Sequence, residues 1–176
     1  MGTGGAFQPK LSWANKFLRP TAEQLVSQCA TKQLGQLVEA ARKELSALAG
    51  VTETLSWQGV PWRWSFVYTV AGEGEGGQGT GGHTTLRSQP LAYLIPDPQR
   101  PQVSVPLTWQ MVEALPMRRL KRFVRDGIIN SRLVGEIHWP LWDFSARSQL
   151  DEILDLVVRK HRLVGAAKPE AVAEGA

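Results

Sequence analysis

The chain has 176 residues, 43% of them hydrophobic and 20% charged, with 20 Lys and Arg against 16 Asp and Glu, one Cys and seven Trp. That length and charge fraction fit one globular domain, and a single Cys excludes an internal disulfide scaffold. No apolar run approaches the roughly 18 residues of a membrane span, and the opening MGTGGAFQPK lacks the apolar centre of a secretory signal, so a cytoplasmic protein is expected.

Residues 1–19 read as a flexible N-terminal segment. Ala6 stands where a myristoylation signal wants Ser or Thr. The single domain is expected over 20–164, followed by a disordered tail at 165–176 that carries no sustained apolar stripe. Pro20, Thr21 and Gln24 predict a capped helix start, with Leu25, Val26 and Cys29 as its apolar side. A second start at Thr31 leads into Leu34, Leu37, Val38, Ala41, Leu45 and Leu48 at helical spacing and stops at Gly50. Cys29 lies on the stripe with no His spaced to activate it, so it reads as a structural thiol.

From Val51 the period changes to two. Residues 53–58 and 61–70 predict strands around a turn at Gly59, with Trp62, Trp64, Phe66 and Tyr68 on one face. The stretch 71–82 holds seven Gly in twelve residues and reads as a mobile loop. It lacks the GxxxxGK[ST] spacing of a phosphate cradle, and Glu73 and Glu75 would repel an anion. Residues 83–88, 91–95 and 102–108 predict further strands, with Pro90 marking a break or an edge. A short helix from Thr108 through Leu115 ends at Pro116, and a second over 117–124 stops near Gly127. Residues 132–144 predict a final strand, and Ser145 caps a last helix whose stripe is Leu150, Ile153, Leu154, Val157 and Val158. The fold class is α+β, an antiparallel sheet of about five strands with N-terminal and C-terminal helices packed on it.

Several segments carry a resemblance to the YdhG-like α+β proteins, a group that includes a bacterial frataxin-like iron chaperone. They are the helix pair over 21–49, Glu53-Thr54-Leu55-Ser56-Trp57, Pro61-Trp62-Arg63-Trp64, Leu91-Ala92-Tyr93-Leu94-Ile95-Pro96, and the strand and helix over 136–161. The resemblance implies the fold, since its motifs are core-forming aromatics. Iron handling is not carried over, because the densest acids, Asp151, Glu152 and Asp155, have Arg147 and Arg159 four residues away as ordinary helix-surface partners.

No cofactor, metal site or catalytic residue is expected. The three His stand apart: His83 by the Gly-rich loop, His138 on the last strand, and His161 near a helix C-terminus, where the dipole favours it. Close zinc-ligand spacings and GxSxG are both missing. The strongest candidate is the basic stretch 117–125, with Arg118, Lys121, Arg122 and Arg125 on one helix face and Arg119 at its margin. It reads as a phosphate or nucleic-acid site, or as a solvated face neutralised by Glu113, Asp126, Glu136 or Asp143. This stretch alone carries five positive charges, so with a net charge of +4 the rest of the chain sums to −1. A second candidate, as a pocket or interface, is Trp57, Trp62, Trp64, His138, Trp139 and Trp142, with Trp109 nearby. HWPLWDF around Pro140 has too many large apolar groups for a one-sided strand, so either both faces are covered or a patch remains for a homodimer through that strand. The expected function is a non-enzymatic binding or protein-interaction module. Weak nucleic-acid binding and a small-molecule enzyme are the alternatives.

Overall fold

A computed structural model describes residues 12–70 and 90–166. The Gly-rich stretch 71–82, the expected strand over 83–88, His83, and most of the expected tail lie outside the described residues. Of the segment expected to be flexible, residues 12–19 are described, and there Trp13 is buried under the Arg63 guanidinium, 4.6 Å from the ring centre.

Local chemistry sets the first helices. Thr21 and Gln24 form a complete reciprocal cap at the start of α1 (Ala22–Ser27), and the Thr31 hydroxyl accepts from the Leu34 N–H to start α2 (Lys32–Ser46). Gly50, at φ 70, turns the chain out of α2 into β1 (Val51–Trp57). Cys29 is half-buried and its thiol contacts the Leu25 carbonyl, as expected of a structural thiol; burial pushes its pKa up.

Strand β1 pairs along its whole length with β2 (Trp64–Val70), which pairs with β3 (Ala92–Ile95), then β4 (Gln102–Ser104), then β8 (Leu141–Asp143), all antiparallel. One face of this five-stranded sheet carries the row Leu55, Phe66, Leu94, Val103 and Trp142, and α2 packs there, with the Arg42 guanidinium 4.6 Å from the Phe66 ring centre. Helix α5 (Arg147–Ala166) buries Leu150, Ile153, Leu154, Leu156 and Val157 in the same core. Val158, expected in that stripe, is only half-buried, and Leu156 takes its place. The α+β class therefore holds, with helices on an antiparallel sheet.

Three expectations are corrected. Trp62 does not share a face with Trp64, because β2 begins only at Trp64 and Arg63 adopts a left-handed φ of 54, which breaks the alternation between the two indoles. Residues 132–144 are not one strand. They form β6 (Arg132–Val134), β7 (Ile137–Trp139) and β8, with β6 and β7 joined by a two-residue turn in which Gly135 has φ 62. Gly at the first position of such a turn matches the twist of a hairpin. The last helix starts at Arg147 rather than at a Ser145 cap: Gln149 reaches back to accept from the Ser145 and Ala146 N–H groups, so the capping side chain lies inside the helix.

A second, three-stranded sheet has the order β5 (Leu107–Thr108), β7, β6. It continues the first. Gln102↔Asp143, Ser104↔Leu141, Leu107↔His138 and Thr108↔Ile137 lie in one register, so β4–β5 and β8–β7 are two halves of one ribbon. Pro106 and Pro140 interrupt it, because neither has an N–H for the ladder; the Val105 N–H still donates to the Pro140 carbonyl at 3.4 Å. With β6 added by its hairpin, the ribbon ends in an edge that pairs with no further strand among the described residues.

Candidate functional site

The basic stretch is not one helix. Met117–Arg119 is a single 3-10 turn, Leu120 is buried and extended, and α4 runs from Arg122 to Ile129. Pro116, which lacks an N–H, starts the turn, and Leu120 anchors the kink in the core. Helix α4 passes through Gly127, where a stop was expected. That glycine is there for packing: a Cβ would fall inside the Trp142 indole, whose Nε1 donates to the Phe123 carbonyl at 3.3 Å.

This kink distributes the cations. Arg118, Arg119, Lys121 and Arg122 are exposed and Arg125 is half-buried, on both sides of the Leu120 anchor. Of the acids expected to neutralise them, only Asp126 does so, 3.3 Å from Arg122. Asp143 instead pairs with Arg100 and accepts from Gln102, and neither Glu113 nor Glu136 comes within 4 Å of a described cation. Helix α4 also lacks the usual start. Lys121 at the cap position makes no side-chain cap bond, and the first turn holds no acid. The positive end of the helix thus adds to the side-chain charge instead of being offset.

The Trp set divides between two faces. Trp64 and Trp142 are buried on the helix-covered face; the Trp64 Nε1 donates to the Asn15 carbonyl at 2.8 Å, and Trp57 meets Trp64 edge to face at 5.9 Å. Trp62, Tyr93 and Trp139 lie together on the opposite face, each ring against the other two, with ring centres 5.0 to 6.1 Å apart. Tyr93, outside the expected Trp set, is the buried member of that trio, and burial pushes its pKa up. His138 joins neither group: its Nδ1 lies 3.2 Å from the Ser131 hydroxyl, beside the end of α4. Trp109 is exposed on α3 (Trp109–Ala114), which the Thr108 hydroxyl caps.

Three further polar groups have structural partners. Glu53 accepts from Arg42 at 2.8 Å and from the Tyr68 hydroxyl at 2.8 Å; burial first, then the neighbouring carboxylate, pushes the Tyr68 pKa far up. His161 is not at a helix end, since α5 runs on to Ala166; its Nε2 meets the Ala49 carbonyl at 2.8 Å. Lys160 is 1% exposed and donates to the Pro90 and Leu91 carbonyls at 2.7 and 3.0 Å. Burial drives its pKa down to about 7. Its position was available from spacing, for Lys160 stands three residues after Val157 on the buried stripe. Asp151 and Asp155 pair with Arg147 at 2.7 Å and Arg159 at 2.8 Å, as their spacing predicts. Among the described residues no three His, Cys, Asp or Glu side chains gather as metal ligands, and no helix is long and apolar enough to cross a membrane. No protein-family model, no curated protein and no solved structure matches the chain.

Proposed function

We propose that the protein is a non-enzymatic binding module of the cytoplasm that takes an anionic polymer, the phosphate backbone of a nucleic acid, on residues 117–125. One observation carries the reading: Arg118, Arg119, Lys121 and Arg125 have no acid within 4 Å among the described residues. Elsewhere the protein places carboxylates beside Arg42, Arg147 and Arg159, whereas here five cations within nine residues share one carboxylate, Asp126, among the described residues. Four of the five cations are Arg, whose planar fork fits phosphate oxygens. The backbone that bears them spans at most about 20 Å, a length that meets several successive phosphates. The YdhG-like likeness enters this reading for the fold alone. A protein-interaction role is the second reading, and the exposed edge of β6 is what favours it.

Fluorescence anisotropy with labelled mixed-sequence DNA and RNA oligonucleotides tests the proposal, with heparin as a competitor that has no bases. Binding is expected to weaken with salt, with a log–log slope of about −3 to −4.5 for four or five phosphate contacts. The double variant Arg118→Glu, Arg122→Glu is expected to lose at least about tenfold in affinity. Binding indifferent to salt, or unchanged in the double variant, would overturn it.

A further inference from the structure

We infer that the free edge of β6 pairs with β6 of a second copy of the chain, antiparallel and centred on Leu133, joining two sheets into one. Among the described residues β6 pairs with β7 alone. Val134 and Ile137 flank the two-residue turn, and residues in that position exchange both backbone hydrogen bonds. Alternation along the strand then points the Leu133 N–H and C=O away from β7, toward the open edge.

Natural edge strands are guarded by shortness, charged side chains, Pro, bulges or a covering element. Strand β6 is short and carries one charge, Arg132, at its start, but it has no Pro or bulge and its three residues are exposed. Leu133 is 56% and Val134 52% exposed, and Ile129, at the end of α4 close by in the chain, is 64% exposed. The edge thus offers both unpaired backbone groups and aliphatic side chains.

A second copy fits this edge better than an extended peptide. Three residues give a peptide one hydrogen-bonded pair, too little to offset its ordering. A second copy brings Ile129, Leu133 and Val134 again, already held in place by a folded sheet. Charge selects the register. Centred on Leu133, Arg132 faces Val134 of the second copy, and no like charges meet. Shifted back by one residue, two Arg132 side chains would oppose each other directly. Shifted forward by one, Gly135 at φ 62 would have to serve as strand. The two-fold axis runs perpendicular to the joined sheet, so the helices of both copies, and both basic stretches, lie on one side of it.

The pairing does not rest on the anion reading, and sedimentation measured without any polyanion tests it separately. The weight-average mass is expected to rise from 19.4 kDa toward twice that between roughly 10 μM and 1 mM, the range of a weak interface. Leu133→Lys and Leu133→Pro are expected to hold the chain monomeric with unchanged circular dichroism, since the Leu133 side chain is exposed and its N–H faces away from β7. In a Cys29→Ser background, Leu133→Cys is expected to oxidise to a covalent dimer, as directly opposed residues lie about 5.5 Å apart. Val134→Cys is expected not to, because its copies stand about 8 Å apart in this register. A mass of 19.4 kDa at every concentration, an association that both Leu133 variants retain, or cross-linking through Val134→Cys in place of Leu133→Cys would each overturn the inference.

Discussion

The two ends of the sheet treat cationic side chains in opposite ways. At the β1–β2 end, Arg42 bonds Glu53 and lies over Phe66, Arg63 lies over Trp13, and Arg19 donates to the Leu55 carbonyl at 3.2 Å. At the β6–α4 end, Arg118, Arg119, Lys121, Arg125 and Arg132 meet no acid within 4 Å among the described residues, and Arg122 meets Asp126 alone. The side chains are of one kind; what differs is whether the fold supplies an acceptor. A cation the fold needs is built in with its partner, and one without a partner is free to meet something else. Lys160 differs from both kinds: it is buried with two carbonyls as its acceptors and no carboxylate among its hydrogen-bond partners, so burial works against its charge.

Lys160 gives the largest test of that contrast. Burial lowers its pKa from 10.5 to about 7 in the folded chain. Between those values the unfolded chain binds a proton that the folded chain does not, so stability is lowest below pH 7 and rises toward pH 10.5. The whole window is worth on the order of 5 kcal/mol. Urea unfolding of the protein and of Lys160→Met at pH 6.5, 8 and 9.5 should give a difference that changes steadily with pH; parallel profiles would mean that burial does not work against the Lys160 charge.

Next in size is the charged tie at the β1–β2 end. Glu53→Ala leaves the mostly buried Arg42 guanidinium and the buried Tyr68 hydroxyl without their common acceptor. Losing one member of such a group costs about 2–4 kcal/mol. The expected result is a lower denaturation midpoint, less so for Glu53→Gln, which keeps one acceptor oxygen. A loss under about 1 kcal/mol would mean that packing rather than charge holds this end.

How far each end could be read from the sequence follows the range of the forces involved. Thr21 with Gln24, and Thr31 before Leu34, declare their helix starts because the partners lie within four residues. The face of Trp62 is hidden from the sequence because Arg63, which is neither Gly nor Asn, adopts a left-handed conformation. Gly135-Glu136 did carry a turn signal, but the large apolar groups on both sides read as one strand. The five cations of 117–125 were plain in the sequence, whereas their kink at Leu120 was not, because it depends on burying Leu120 in a core built by distant segments. Which acids would reach them was equally hidden: Asp143 is committed to Arg100, 43 residues away.

At the open end the contrast predicts large effects on binding and small ones on stability. The variant Arg118→Glu, Arg122→Glu should unfold within about 0.5 kcal/mol of the parent chain, as exposed substitutions do, while losing polyanion affinity. A clear destabilisation would place these residues with Arg42 instead.

Asp126→Asn is the finest cut. Among the described residues Asp126 is the one acid within 4 Å of the basic stretch, and its pairing with Arg122 is an exposed i,i+4 contact worth less than about 0.5 kcal/mol. Removing the carboxylate frees Arg122 and adds one unit of positive charge beside the polymer. Affinity for the oligonucleotide should therefore rise about two- to threefold at low salt and return toward the parent value as salt screens the added charge. Stability should hardly move. A fall in affinity would mean that Asp126 positions Arg122 for the polymer rather than competing with it, and the Arg122–Asp126 pair would then belong with the built-in cations of the other end.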